Sequence, residues 1–197
     1  MTARRSATRS GVSGRIRIIG GRWRGRKLDV LDAPGLRPSG DRVRETLFNW
    51  LQPWIDGARC LDLFAGTGVL GLEALSRGAA HVTFVDRSPA AIAMLEQNVA
   101  ALRADRLCVV RYDALAWLTA TRPTPYDLVF VDPPFASGLL AGALECLCAG
   151  WLAAHALVYV ERASGHGAES WPEGWAVVRA GETRHVNFTL LRRVVPA

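Results

Sequence analysis

The sequence predicts an α/β protein whose core is a doubly wound parallel sheet closed by an antiparallel hairpin. Three observations point there. Short apolar runs recur at 60–64, 81–86, 107–112, 128–132 and 157–161. Helical segments between them supply the crossovers that successive parallel strands require. Two last strand-like stretches, 176–180 and 186–193, have too few residues between them for a helix, so they pair antiparallel.

Each element has a local reason. Residues 1–14 are rich in Arg and Ser, lack acids and have no apolar stripe, which predicts a disordered, phosphate-seeking tail. Between 15 and 31, Ile16 with Ile18 and Leu28 with Val30 flank a glycine-rich middle, the pattern of a short hairpin. Arg17, Arg22, Arg24, Arg26 and Lys27 project from it, with Trp23 among them. Pro34 and Pro38 break the chain, and Asp41 is suited to cap a helix that runs to Gln52 and ends before Pro53. Val43, Leu47 and Trp50 or Leu51 make its apolar stripe, leaving Arg42, Arg44 and Glu45 on other faces. A helix over 69–77 follows the first core strand. Ser88 caps the next one, with Pro89 in its first turn and an end near Leu102. Another lies near 139–149. The expected organisation is a tail (1–14), an arm of hairpin and helix (15–52) and a core domain (53–197).

A chain of 197 residues, half of them hydrophobic, suffices for one well-cored domain. Its net charge of +6 is unevenly spread. The first 60 residues hold 13 Arg and Lys against 5 Asp and Glu, so the other 137 carry a net −2. A basic arm on a near-neutral body points to a polyanionic partner, with nucleic acid ahead of an anionic membrane. No apolar run approaches the roughly 18 residues that span a bilayer. Cys60, Cys108, Cys146 and Cys148 show no Cys-x-x-Cys spacing and read as buried, reduced thiols of a reducing, cytoplasmic compartment. The four histidines are scattered, so no metal is expected.

The chemistry concentrates after the first, second and fourth core strands. Gly66, Gly68 and Gly71 satisfy the spacing G-x-G-x-x-G, and Asp86 follows 20 residues after the first of them, where an acid can accept both hydroxyls of a ribose. That pattern suits a dinucleotide and S-adenosylmethionine alike. Asp62 shifts the balance, because a carboxylate directly before the loop repels a pyrophosphate and attracts the ammonium of a methionine moiety. The string Asp132-Pro133-Pro134-Phe135 then indicates the acceptor. An exocyclic ring amine is a poor nucleophile because its lone pair is delocalised. A carboxylate and a rigidly held backbone carbonyl that accept its N–H bonds localise that pair for attack on a methyl-sulfonium. Phe135 can stack on the unstacked base.

Asp/Asn-Pro-Pro-aromatic is the signature of amino-methyltransferases that act on nucleobases or glutamine amides. The fuller resemblance is to bacterial 16S ribosomal RNA guanine-N2 methyltransferases of the RsmD type. It is carried by the run Arg17 to Leu28 (RIIGGRWRGRKL), Leu36-Arg37-Pro38, and the run Asp41 to Leu51 (DRVRETLFNWL). The run from Asp62 to Arg77, the Asp132–Phe135 string and Tyr159-Val160-Glu161 complete it. The resemblance implies a Rossmann-like class I fold with seven strands, and methylation of one 16S guanine, guanine 966 in the family's name. It implies that Asp62, Gly66 and Gly68 line the methionine end of S-adenosylmethionine, that Asp86 holds the ribose, that Asp113 and Ala114 face the adenine, and that Phe64 and Arg87 also belong to the cofactor site. Asp132, Pro133, Pro134 and Phe135 would bind the target amine. Arg22, Trp23, Arg24, Arg26, Lys27, Arg37, Arg42 and Arg44 would face RNA, free or in a 30S subunit, on a monomeric enzyme without a metal. Ser39-Gly40 and the segment 181–185 depart from the family's pattern.

Other readings use parts of the same sequence. A DNA-adenine or protein-glutamine methyltransferase shares the acceptor string, but 197 residues leave no room for a separate DNA-recognition domain. A nicotinamide-dependent oxidoreductase shares the glycine loop, and a non-catalytic RNA-binding module shares only the basic arm.

Overall fold

The computed structural model describes residues 12–31, 40–134, 138–164 and 171–194. In chain order the elements are β1 (Val12–Arg17), β2 (Lys27–Leu31), α1 (Asp41–Ile55), β3 (Arg59–Asp62), α2 (Val69–Ser76), β4 (His81–Asp86) and α3 (Pro89–Leu102). They continue with β5 (Leu107–Arg111), α4 (Ala114–Ala120), β6 (Tyr126–Val131), α5 (Leu139–Leu147), β7 (Leu152–Ala163), β8 (Trp175–Glu182) and β9 (Val186–Arg193). β3 to β7 are parallel where they pair, in the order β5-β4-β3-β6-β7, and β9 then β8 extend the sheet antiparallel to seven strands. The expected fold class is the observed one.

Both faces of the central strands are apolar because helices cover both. Cys60, Phe84, Phe130 and Tyr159 pack with α1, α2 and α3 on one side. Leu61, Val85, Val131 and Val160 pack with α4 and α5 on the other, around Trp117 and Trp151, whose ring centroids lie 4.6 Å apart. β5 lies at the sheet's edge, and there the expectation of buried thiols fails. Cys108 is exposed, Cys146 and Cys148 are half-buried, and only Cys60 is enclosed.

Three local expectations are corrected. Gly40, not Asp41, is the N-cap of α1, and the helix runs through Pro53 to Ile55. Pro53 is tolerated because it lies in the last turn on the exposed side, where the forfeited hydrogen bond is open to water. The buried row of α1 is Val43, Leu47, Leu51 and Ile55, with Arg44 and Phe48 beside it, while Trp50 stacks at 5.3 Å on Phe188 of β9. α4 is an element the hydrophobic pattern did not announce, a seven-residue helix capped by Asp113. Finally, β1 starts at Val12, because β2 extends far enough to pair Leu31 with it.

The hairpin β1–β2 is built into the core. Ile18, Trp23 and Leu28 are buried with the residues of α1 to α3. The turn at Ile19 and Gly20 is held by the carboxylate of Glu73 on α2, which accepts both backbone N–H groups at 2.8 Å. Ser76, one turn on, accepts from the Trp23 N–H at 3.0 Å and donates to the Gly20 carbonyl at 2.6 Å. Gly21 passes so close that a Cβ there would meet the Ser76 carbonyl oxygen at 1.8 Å.

Candidate active site and nucleic-acid interface

The chain winds outward from β3 through β4 to β5, then returns to lay β6 on the other side of β3. At such a reversal the crossovers diverge and open a crevice beyond the carboxyl ends of the strands. Asp62 ends β3, Asp86 ends β4 and Asp132 follows β6, so three acids expected in the site come to this one rim. Glu161 of β7 adds a fourth, since Val131 pairs with Val160 and the next residues along are Asp132 and Glu161.

The glycine loop joins β3 to α2. Gly66 and Gly68 adopt φ of 53° and 82°, and Gly68 in this left-handed form is the N-cap of α2. Gly71 serves packing, since a Cβ there would lie 2.2 Å from the Phe84 ring. Two carboxylates brace the loop. Asp86 accepts from the Gly66 N–H at 2.7 Å and the Ser88 N–H at 2.8 Å. Asp62 accepts from the Gly71 N–H at 2.9 Å. Burial pushes the Asp62 carboxyl up to about 7, against the downward pull of the Gly71 hydrogen bond and with a further push from Asp86. A cation placed beside it would restore its charge.

Asp132 is half-buried, Pro133 buried and Pro134 exposed. Removal from water raises the Asp132 carboxyl well above the ordinary range, and the charges of Glu161 and Asp62 raise it further. Glu161 accepts a 2.7 Å hydrogen bond from the Tyr159 hydroxyl, which burial and that partnership hold strongly protonated. Phe64 packs half-buried beside the core of α4 and α5. Arg87 lies 4.0 Å from Asp113, which also caps α4 by accepting from the Ala116 N–H at 3.1 Å, and Ala114 is buried. Phe135 and Arg37 lie outside the described residues, as do Ser39 and all but the end of the expected tail.

The expected RNA-facing residues divide sharply. Arg24, Lys27 and Arg42 are exposed. Arg22 is exposed but bonds Asp105 at 3.1 Å and covers the Trp23 ring at 4.0 Å, and Arg26 bonds the Ala101 carbonyl at 2.7 Å. Two expectations are corrected. Arg44 is fully enclosed, bonded to Asp41 at 2.6 Å and to the Arg17 carbonyl at 2.9 Å, because its helix face turns toward Glu73. Trp23 is only 8% exposed, because its ring fills the core under the hairpin. Neither side chain is available to RNA. Arg17, Arg24, Asp41 and Glu45 line a cleft of about 240 Å³ between hairpin and α1. Glu73, Ser76 and Asn98, which hold the arm, escaped the sequence reading. Their one signal was a polar residue within an apolar helical segment.

The donor set fits S-adenosylmethionine. Gly66 and Gly68 hold the loop backbone in a left-handed form, and Asp86 retains lone pairs for ribose hydroxyls beside the two N–H groups it already accepts. Asp62 is a buried carboxylate held by a neutral backbone N–H, so its charge is left for an ammonium to meet.

Known proteins resemble this chain over most of its length. A family model described as "Conserved hypothetical protein 95" matches residues 16–192. The Escherichia coli K12 protein named ribosomal RNA small subunit methyltransferase D is 51% identical over 182 residues, 92% of this chain and 91% of that protein. Its Haemophilus influenzae namesake is 44% identical, over 91% of this chain and 94% of its own length. Among solved structures, an E. coli protein described as a methyltransferase superposes with a TM-score of 0.83 at 47% identity, covering 93% of this chain and all of its own.

Proposed function

The chain belongs to the Conserved hypothetical protein 95 family, that of the RsmD-type ribosomal RNA methyltransferases, and from this premise we propose that it methylates the exocyclic N2 of guanine 966 in 16S ribosomal RNA. S-adenosylmethionine is the methyl donor in this reading, and the site of action is the bacterial cytoplasm, where small subunits assemble. The observation that carries it is the convergence of Asp62, Asp86 and Asp132 on the rim at the strand-order reversal.

When bound, S-adenosylmethionine supplies an electrophilic methyl group on a sulfonium. Asp62 would hold the ammonium of its methionine end and Asp86 its ribose hydroxyls, with Phe64, Arg87, Asp113 and Ala114 lining the rest of the cofactor site. Asp132 and the Pro133 carbonyl accept the two N–H bonds of the guanine amine, so its lone pair turns out of conjugation. Methylation leaves a proton in excess on that nitrogen. The Asp132 carboxylate, whose proton affinity is raised by burial and by Glu161, takes it. Arg24, Lys27, Arg42 and Arg37 anchor phosphates and carry no base information.

Transfer of a labelled methyl group from S-adenosylmethionine to 16S RNA, with and without small-subunit proteins, tests this reading. Mass-spectrometric mapping should find one N2-methylguanosine. A methylated adenine, or label in protein alone, would overturn it.

A further inference from the structure

We propose that Asn98 is a positioning residue that couples RNA on the arm to the cofactor loop, so that each ligand tightens the other. The inference rests on the function proposed above. Asn98 lies on the inward stripe of α3 with Ala91, Leu95 and Leu102, all buried, and is itself 4% exposed. Packing alone would place an aliphatic residue there. The amide instead bridges β2 of the arm and the glycine loop.

On one side it forms a two-point clamp with the middle of β2. Its Oδ1 accepts from the Asp29 N–H at 3.0 Å, and its Nδ2 donates to the Asp29 carbonyl at 2.9 Å. On the other side the same Nδ2 donates to the Thr67 carbonyl at 3.1 Å. Thr67 stands between Gly66 and Gly68, and the Gly66 N–H is held by the ribose acid Asp86. Both N–H bonds of the amide are therefore engaged, one toward the arm and one toward the loop.

A planar amide cannot satisfy both carbonyls if either moves alone, and a buried donor left without its acceptor is unfavourable. The Asp29 side chain pairs with Arg15 at 2.9 Å and the exposed Lys27 is two residues away, so the clamp lies directly beneath the basic surface of the hairpin. RNA that fixes the hairpin fixes the Thr67 carbonyl, and a ligand that fixes the loop fixes β2. By thermodynamic linkage the two effects are equal.

The test uses the full chain, S-adenosylhomocysteine and unmethylated 16S RNA. Affinity for S-adenosylhomocysteine is measured with and without saturating RNA, in the wild type and in Asn98→Ala. The expected result is a tightening of about tenfold in the wild type, within the usual span of coupling between sites, and a ratio near one in the variant. An equal ratio in both proteins, or no tightening in the wild type, overturns the coupling. Failure of the wild type to bind either ligand overturns the function on which it rests. Hydrogen exchange on the wild type serves if the variant does not fold. S-adenosylhomocysteine should slow exchange in 27–31, where the Asp29 N–H meets Asn98, as well as in 62–71. Slowing confined to 62–71 would overturn the proposal.

Discussion

The guanidinium of Arg44 lies 3.6 Å from the carboxylate of Glu73, and neither side chain has any exposed surface. Glu73 also accepts from Arg77 Nε at 2.7 Å and from two backbone N–H groups of the hairpin. One buried acid thus joins α1, α2 and the arm.

Removing that acid takes a buried partner from Arg44, which keeps only Asp41 and the Arg17 carbonyl, and the (i, i+4) partner from the partly exposed Arg77. Glu73→Ala should lower unfolding free energy by about 3–5 kcal/mol, the usual penalty for breaking a buried pair. Urea denaturation followed by far-ultraviolet dichroism checks this. A decrease below about 1 kcal/mol would mean that water reaches Arg44.

Replacement of the acceptor acid acts on turnover. Asp132→Ala should lower kcat by about a hundredfold to ten-thousandfold, the range for a positioned acid–base group. Affinity for S-adenosylhomocysteine should stay within about threefold, since the contact proposed for Asp132 is with the target amine and not with the cofactor. Full activity in this variant would remove the assigned role.

Cofactor affinity should depend on pH through Asp62. Below about 7 its carboxyl is protonated and must lose the proton to meet an ammonium. Affinity for S-adenosylhomocysteine should therefore rise by up to about tenfold per pH unit below that value and level off above it. Asp62→Asn should bind weakly with a flat profile. The same raised value fixes the stability slope. Between the ordinary value of 3.8 and about 7 the native state holds the extra proton, so this group's contribution to stability falls as pH rises through that window.

The exposed cations should set the salt dependence of RNA binding. Replacing Arg24, Lys27 or Arg42 by Gln should leave one phosphate without its cation and reduce the slope of log K against log salt by about 0.7 to 0.9 for each residue replaced. The methylated base should stay the same. Arg44→Gln should instead act through stability, because its side chain is enclosed.

Features held within one short segment were legible in advance. The glycine loop, the Ser88 cap of α3 and the Asp132–Pro134 string each follow from local backbone chemistry, and the parallel sheet with its antiparallel closing hairpin follows from the helices between the first strands and the lack of one before the last. What was missed depends on distant neighbours. Arg44 looked like a surface residue because its helix face becomes interior only once α2 brings Glu73 against it. Trp23 sat among arginines that suggested RNA, yet the core under the hairpin claimed its ring. α4 is too short for a clear periodic signal, although Asp113 marks its start. The roles of Asn98 and Glu73 rest on hydrogen bonds to residues 31 to 69 positions away.

Those separations govern the order in which the molecule can be made. During synthesis the hairpin leaves the ribosome well before Glu73, Ser76 and Asn98, so its buried side of Ile18, Trp23 and Leu28 has nothing to settle on. β3 waits through a similar span, for β6, before its second neighbour arrives. Long-range parallel pairing of this kind folds slowly and leaves apolar edges uncovered in the interval. The nascent basic segment is accordingly the part of this protein most in need of a chaperone, and truncation before residue 98 should yield aggregation-prone chains.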